Sequence, residues 1–322
     1  MKMKTILVSG ASGIVGYGIL NSLRHNKELR LVGTTIYTRS VAPTFCDVFE
    51  MLPKTSEPDY LPALAKIIKK YNVDMVIPGI EDDVIFWNNH KDKLLETGTF
   101  LLLNKFELIN LCADKWKFYE KLKETSATQY AISTHISKDF DTLSTPFLIK
   151  PMRGYGSKGI VKISDIESFN KYKDEIGSTY ITQPIVGNDD EEYSISAFFD
   201  KNSNMLDYLA LKRKLSSEGF TQTAETVFDE KWKKAILDLA IVFKPVGPTN
   251  FQFRLTEQGP KLLEINPRIS SATSIRTAFG YNESIMSVEY FLSNNLINKT
   301  EKKSGYVIRY VTEKVFYDSD NI

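Results

Sequence analysis

An α/β unit followed by an α+β unit is the architecture that this 322-residue sequence predicts. Three observations predict it. Strand-like and helix-like segments alternate over residues 1–103. After Asp114 they give way to a run of strands with few helices. Later, Asn250-Phe251-Gln252-Phe253-Arg254 and Leu262-Leu263-Glu264-Ile265-Asn266-Pro267-Arg268 read as two strands joined by the turn Glu257-Gln258-Gly259-Pro260. Because strand side chains alternate, that hairpin has an apolar face of Phe251, Phe253, Leu263 and Ile265, and a polar face of Gln252, Arg254, Glu264 and Asn266.

Taken in order, residues 5–9 form an apolar strand and Ile14–Leu23 an amphipathic helix. Residues 31–37 are a β-branched strand. Tyr60–Tyr71 places Leu61, Leu64, Ala65, Ile67 and Ile68 at helical spacing. Residues 75–78 and 100–103 are buried strands. This rhythm implies a parallel sheet with helices on both faces. Gly79-Ile80-Glu81-Asp82-Asp83 follows a strand end, where open α/β sheets place ligands. A helix over residues 116–124 leads to strands at 147–150, 159–163, 180–184 and 193–200. Helices lie near 166–175 and over 231–243, and a boundary falls within 104–113. The tail from Glu313 has no clear period and receives no element.

The hydrophobic fraction of 42% and charged fraction of 25% are ordinary for a globular chain. A net charge of +1 creates no field that gathers nucleic acid or anionic membrane, so neither is expected as a partner. Cys46 and Cys112 stand far apart, without metal spacing, which suits a reducing compartment. His25, His90 and His135 are scattered and suggest no histidine metal site or nucleophile triad. No run of 18 apolar residues predicts a membrane span. The opening Met-Lys-Met-Lys and its apolar run break at Ser9-Gly10, which suits a strand entering a turn better than a leader. The expected location is cytoplasmic.

Gly10-Ala11-Ser12-Gly13-Ile14-Val15-Gly16 lies between a strand and a helix, the context of a dinucleotide fingerprint. The acidic residue that such a site places at the end of the second strand is missing; Thr34, Thr35 and Tyr37 stand there. The glycines serve equally as a tight strand-to-helix turn, and both readings stay open.

In the middle of the chain, Phe147-Leu148-Ile149-Lys150-Pro151 ends a strand, and Met152-Arg153-Gly154-Tyr155-Gly156-Ser157-Lys158-Gly159 follows. Backbone N–H groups of such a loop, with Lys158 and the strand-end Lys150, can hold phosphate oxygens. On the hairpin, Gln252 opposite Glu264, with Asn266 and the guanidinium groups of Arg254 and Arg268 nearby, supplies the hard oxygens and cations that Mg²⁺ and phosphate require. Between these segments, Tyr180–Pro184 runs into Ile185-Val186-Gly187 and then the acidic stretch ending at Glu192.

With these segments in this order, the chain resembles the ATP-grasp superfamily, most of all one ATP-binding half of the carbamoyl-phosphate synthase large subunit, and more distantly biotin carboxylase. The resemblance covers about residues 104–292 and rests also on Asp114-Lys115-Trp116-Lys117-Phe118. It implies a Rossmann-like domain over 1–108, and an ATP-grasp domain over 109–312 with a lid at about 115–185 and a metal-binding part at about 186–312. It implies ATP and Mg²⁺, or Mn²⁺, as cofactors. Lys115, Lys150 and Gly156 would meet the phosphates, Gln183 and Ile185 would offer backbone groups to adenine, and Glu192 would bind ribose. Gln252, Glu264 and Asn266 would hold the metal. Arg268, Lys158 and Arg213 would act on the transferring phosphoryl group, although Arg213 in Leu211-Lys212-Arg213-Lys214 also suits an exposed basic strand. The implied activity joins a small carboxylate to an amine, with ADP formed. The chain has one such unit where the synthase subunit has two and an allosteric domain, so a complete carbamoyl-phosphate synthase is not expected. A homodimer is compatible with this reading. Two other readings are carried: an NAD(P)-dependent oxidoreductase using the front glycine turn, and an ATP-binding regulator without catalysis.

Overall fold

The computed structural model describes residues 3–154, 156, 158–295, 297 and 301–317. Five strands, β1 (Lys4–Val8), β2 (Leu29–Thr35), β3 (Val48–Met51), β4 (Met75–Ile77) and β5 (Phe100–Leu101), form a parallel sheet in the order β3-β2-β1-β4-β5. Its strands are apolar on both faces because helices cover both. Ile6, Val8, Met75 and Ile77 face the side of helix Ile14–Leu23; Leu7 and Val76 face the side of helix Tyr60–Tyr71. Both helices occupy the residues that their periodicity predicts.

The front glycine turn is a packing device. A Cβ on Gly16 would lie 2.2 Å from Gly10 O, and one on Gly79 would lie 2.1 Å from Ser9 O. Only hydrogen atoms fit where the helix crosses β1 and β4 so closely. Ala11 N donates to Thr34 O, and Gly13 N to Gly10 O, so two of the turn's N–H groups already have partners.

Two antiparallel sheets follow. β6 (Phe147–Pro151), β7 (Val161–Ile163) and β8 (Tyr180–Pro184) form a small sheet in the order β7-β6-β8 around Phe147, Ile149, Ile163, Phe169 and Ile176. β9 (Glu192–Phe199), β10 (Met205–Leu215), β11 (Thr221–Val227), β12 (Gly247–Thr256), β13 (Gly259–Asn266) and β14 (Tyr306–Ile308) form the large one, in the order β13-β12-β9-β10-β11-β14. Tyr193, Ile195, Ala197 and Phe199 alternate along β9 into a core with Phe251, Phe253 and Trp232 of helix Glu230–Phe243. The intervening Glu192, Ser194 and Ser196 therefore point to the opposite face.

The β12–β13 hairpin departs from the sequence reading in one respect. Thr256 pairs with Gly259, so Glu257 and Gln258 alone form the turn, which by itself would set Gln252 against Leu263. A bulge between the Gln252–Glu264 and Phe253–Leu262 pairs inserts one residue on β13. Leu262, not Leu263, is consequently the core residue, and Gln252 stands opposite Glu264.

Helices Thr273–Ala278 and Glu283–Leu292 carry the chain back to the parallel sheet. Thr277 Oγ1 donates to Ser22 Oγ at 3.0 Å, and Asn282 Nδ2 donates to Ser22 O at 2.7 Å. Ile269 and Val288 join the core beneath helix Ile14–Leu23. Among the described residues, no helix is long and apolar enough to cross a membrane.

Candidate active site

Strand register lays polar side chains in rows on the face of the large sheet opposite the Trp232 core. Arg254 on β12 pairs with Glu192 on β9, which pairs with Arg213 on β10. One step along, Gln252 pairs with Ser194 on one side and Glu264 on the other. Glu192 and Arg213 are both 6% exposed. Arg213 Nη2 donates to Glu192 Oε1 at 2.9 Å and to Gln252 Oε1 at 2.8 Å. Arg254 Nη2 lies 3.5 Å from Glu192 Oε2. Arg213 is thus buried and paired rather than an exposed basic residue; Lys214 beside it is the exposed one.

The row continues into β13 and beyond. Asn266 Nδ2 donates to Glu264 Oε1 at 2.9 Å, and Arg268 Nη2 donates to Asn266 Oδ1 at 3.0 Å. Arg268 Nε donates to Glu81 Oε2 at 2.9 Å, which joins this face to the end of the parallel sheet.

Two lysines enter from the other side. Lys150, near the end of β6, donates to Gln183 Oε1 at 2.7 Å, and Gln183 Nε2 donates to Thr134 Oγ1 at 3.0 Å. Lys115 opens helix Lys115–Lys123 and donates to Gly154 O at 2.8 Å; Asp114 caps that helix by accepting from Lys117 N. Burial pushes the Lys150 ammonium down to about 8, with Glu264 pulling the other way. Burial also lowers Lys115, opposed by Glu264, Asp114 and Glu81.

Ile185 follows the last β6–β8 pair, Phe147 with Pro184, and is exposed. Gly156 and Lys158 lie on the loop after β6, and Lys158 is exposed. Tyr155 and Ser157 of that loop lie outside the described residues. The loop reaches the β10–β11 turn, where a Cβ on Gly219 would lie 3.3 Å from Gly156 O. Strand register and hydrogen bonds thus bring Glu192, Arg213, Gln252, Glu264, Asn266 and Arg268 together on one sheet face, while Lys150 is joined to Gln183, Lys115 to the Gly154 carbonyl, and Lys158 lies exposed on the loop after β6.

Sequence reasoning assigned no role to Arg276, which is fully buried. It donates to Ser194 Oγ at 2.8 Å and to Ser270 Oγ at 2.7 Å, and lies 3.5 Å from Glu283. Glu283 in turn accepts from Ser196. This network braces β9 from beneath, and nothing in the local pattern of Thr273–Ala278 announces it. The part played by Glu81 is likewise invisible except through its place at a strand end.

The oxygen set suits a hard cation in one way. Gln252 stands opposite Glu264, and Asn266 donates to Glu264, so the three side chains are neighbours with a single negative charge, the Gln252 and Asn266 oxygens accepting from Arg213 and Arg268. Among the described residues, no group of three or more His, Cys, Asp or Glu is placed to hold a metal. Such a set fits Mg²⁺ that brings phosphate oxygens with it, the usual condition for that ion.

The chain is thus a parallel-sheet unit followed by two antiparallel sheets. Residues 187–314 match the family described as ATP-grasp in the biosynthetic pathway with Ter operon, and residues 17–102 match the PylC-like N-terminal domain. The carbamoyl phosphate synthase large chain of a Thermoanaerobacter species is 24% identical over 235 residues, covering 68% of this chain. This chain spans 22% of that relative's length. Biotin carboxylase from Campylobacter jejuni, solved with a β,γ-ATP ligand, superposes with a TM-score of 0.74 at 14% identity, over 94% of this chain and 74% of that one. The ADP complex of N5-carboxyaminoimidazole synthetase from Staphylococcus aureus gives 0.70 at 16% identity, over 95% and 81%. L-amino acid ligase from Bacillus licheniformis gives 0.68 at 15%, over 90% and 74%. These structural likenesses concern the fold. The oxidoreductase and regulator readings gain no support from them.

Proposed function

We propose that this chain is an ADP-forming ligase that activates a small carboxylate as an acyl phosphate and passes the acyl group to an amine. The observation that carries this reading is the hydrogen-bonded row in which Arg268 donates to Asn266 and Asn266 to Glu264, with Gln252 opposite Glu264. Cations facing one carboxylate and two amide oxygens suit a triphosphate that arrives with its metal. Mg²⁺, when bound, would supply positive charge against the charge developing on the phosphates. Gln252, Glu264 and Asn266 would hold it. Lys115 and Lys150 would take phosphate oxygens, Gln183 and Ile185 the adenine, and Glu192 the ribose.

In this reading the substrate carboxylate attacks the γ-phosphorus, and Arg268, one bond from Asn266, meets the charge on the transferring group. Displacement of phosphate from the acyl phosphate by an amine completes the reaction. This chemistry needs positioning and cations rather than a protein nucleophile. Cys112 fits that requirement: burial and the nearby Glu81 and Glu264 hold its thiol far from ionisation. The test is a screen of carboxylates and amines for Mg·ATP-dependent phosphate release, with hydroxylamine trapping of acyl phosphate as hydroxamate. ATP and ADP binding with nicotinamide cofactors excluded is the expected companion result. Tight NADPH binding without ATP binding would overturn the reading.

A further inference from the structure

Glu81 is a negative charge where the proposed reaction asks for positive ones. It opens helix Glu81–Asn89 just past β4, at the C-terminal edge of the parallel sheet. The strand order puts β1 beside β4, with β2 on the far side of β1, so the chain reverses its direction of winding there. Crevices at such reversals are where open α/β sheets receive ligands.

The turn that presents Glu81 is held from behind. Asp83 Oδ1 accepts from Thr55 Oγ1 and Tyr60 OH, each at 2.6 Å, and Tyr60 OH accepts from Trp87 Nε1 at 2.9 Å. Gly79 N donates to Ser9 Oγ at 3.1 Å. Glu81 itself faces forward. Its Oε2 accepts from Arg268 Nε, the two side chains being 17% and 16% exposed. Its Oε1 has no hydrogen-bond partner among the described residues. Arg268 joins Glu81 to Asn266, and Asn266 donates to Glu264, so the two carboxylates lie along one hydrogen-bonded row.

All three nitrogens of Arg268 have acceptors: Glu81, Asn266 and Ile269 O. A dianionic phosphoryl group arriving beside Asn266 competes with Glu81 for that guanidinium. As Arg268 turns to it, Glu81 becomes a mostly buried carboxylate short of a cation. A buried charge persists only when paired.

We propose that, once the acyl phosphate has formed, Glu81 receives the amine substrate as its ammonium ion in exchange for Arg268 and accepts one of its protons, leaving a neutral amine to attack the acyl carbon as phosphate departs. The inference rests on the ligase reading and adds two things to it. The second substrate is a primary amine recognised by its positive charge, and it is taken up after activation of the carboxylate.

The test uses the full chain as wild type, Glu81→Gln and Glu81→Asp. Each is given Mg·ATP and the carboxylate identified by phosphate release. Two nucleophiles are compared: the amine that wild type accepts, and hydroxylamine, which is uncharged at neutral pH. Calorimetric binding of Mg·ADP reports that each variant is folded. In Glu81→Gln the KM for the amine should rise by at least roughly 30-fold, the low end for removing one partner of a buried charge pair. Hydroxamate formation should persist, and Glu81→Asp should recover part of the loss. An unchanged amine KM in Glu81→Gln overturns the inference. So does an equal fall of amide and hydroxamate, which would make Glu81 a support for Arg268 alone. Absence of hydroxamate from wild type with every carboxylate tried would instead bring down the ligase reading, and this inference with it.

Discussion

Lys150 donates its ammonium proton to Gln183 Oε1 across 2.7 Å, so the cation at the end of β6 is tied to the neighbouring strand β8. Burial holds this ammonium down to about 8. Bound phosphate favours the charged form and raises that value. Mg·ATP affinity should therefore be level below pH 8 and fall as pH rises through it, approaching tenfold per pH unit. Lys150→Arg, which stays charged, should bind without this inflection. Calorimetry between pH 6.5 and 9.5, about the Lys150 value, checks both. The fold itself should gain stability over the interval from about 8 up to the ordinary lysine value, because the unfolded chain binds the extra proton there.

Glu264 supplies the single negative charge of the oxygen set. Glu264→Ala should lower Mg·ATP-dependent phosphate release by roughly 10²–10³, the scale for losing one transition-state electrostatic contact. Its side chain is only partly buried, so the fold should survive. Near-normal turnover in a folded variant would overturn the proposed metal role of Glu264.

Arg213 and Glu192 form a buried pair, and breaking it strands a charge. Arg213→Ala should cost about 3–5 kcal/mol of stability, read from urea unfolding. Arg254 lies farther from Glu192, at 3.5 Å, and offsets only part of this. The same variant loses the donor that orients Gln252 Oε1, so nucleotide-dependent turnover should fall even where the protein remains folded. A variant of wild-type stability would contradict the pairing.

Lys158 is exposed, and its removal should change stability by no more than about 0.5 kcal/mol. In the proposed reading it serves the γ-phosphate. Lys158→Ala should lower turnover while leaving Mg·ADP affinity unchanged, since ADP has no γ-phosphate. Equal losses in both would move Lys158 from the γ-phosphate to the rest of the nucleotide, and normal turnover would make the loop an ordinary surface connection.

Periodicity made much of this fold legible. Ile14–Leu23, Tyr60–Tyr71 and Tyr180–Pro184 lie where their apolar spacing puts them. Alternation along β9 and β12 announced a polar face, because one side of each strand had to fill the core. The β13 bulge was not legible. Leu262 and Leu263 are chemically alike, and only packing against Phe253 selects the first. Arg213 was ambiguous for a similar reason: a buried arginine is recognised by its partner, and Glu192 lies on another strand. Short elements such as Val48–Met51 and Tyr306–Ile308 draw their order from neighbouring strands rather than from their own pattern.

The return of Ile269 and Val288 to the core under helix Ile14–Leu23 has a consequence for the order in which the protein can be made. When the last parallel strand has left the ribosome, the residues that close one side of its sheet have not been synthesised. Helix Ile14–Leu23 must wait with its outer flank uncovered while both antiparallel sheets are translated. Segments that wait with apolar surface exposed are the ones that aggregate or recruit chaperones. A fragment ending after β5 should therefore be poorly behaved alone, and the first third of the gene should reach its native packing only when the last third arrives.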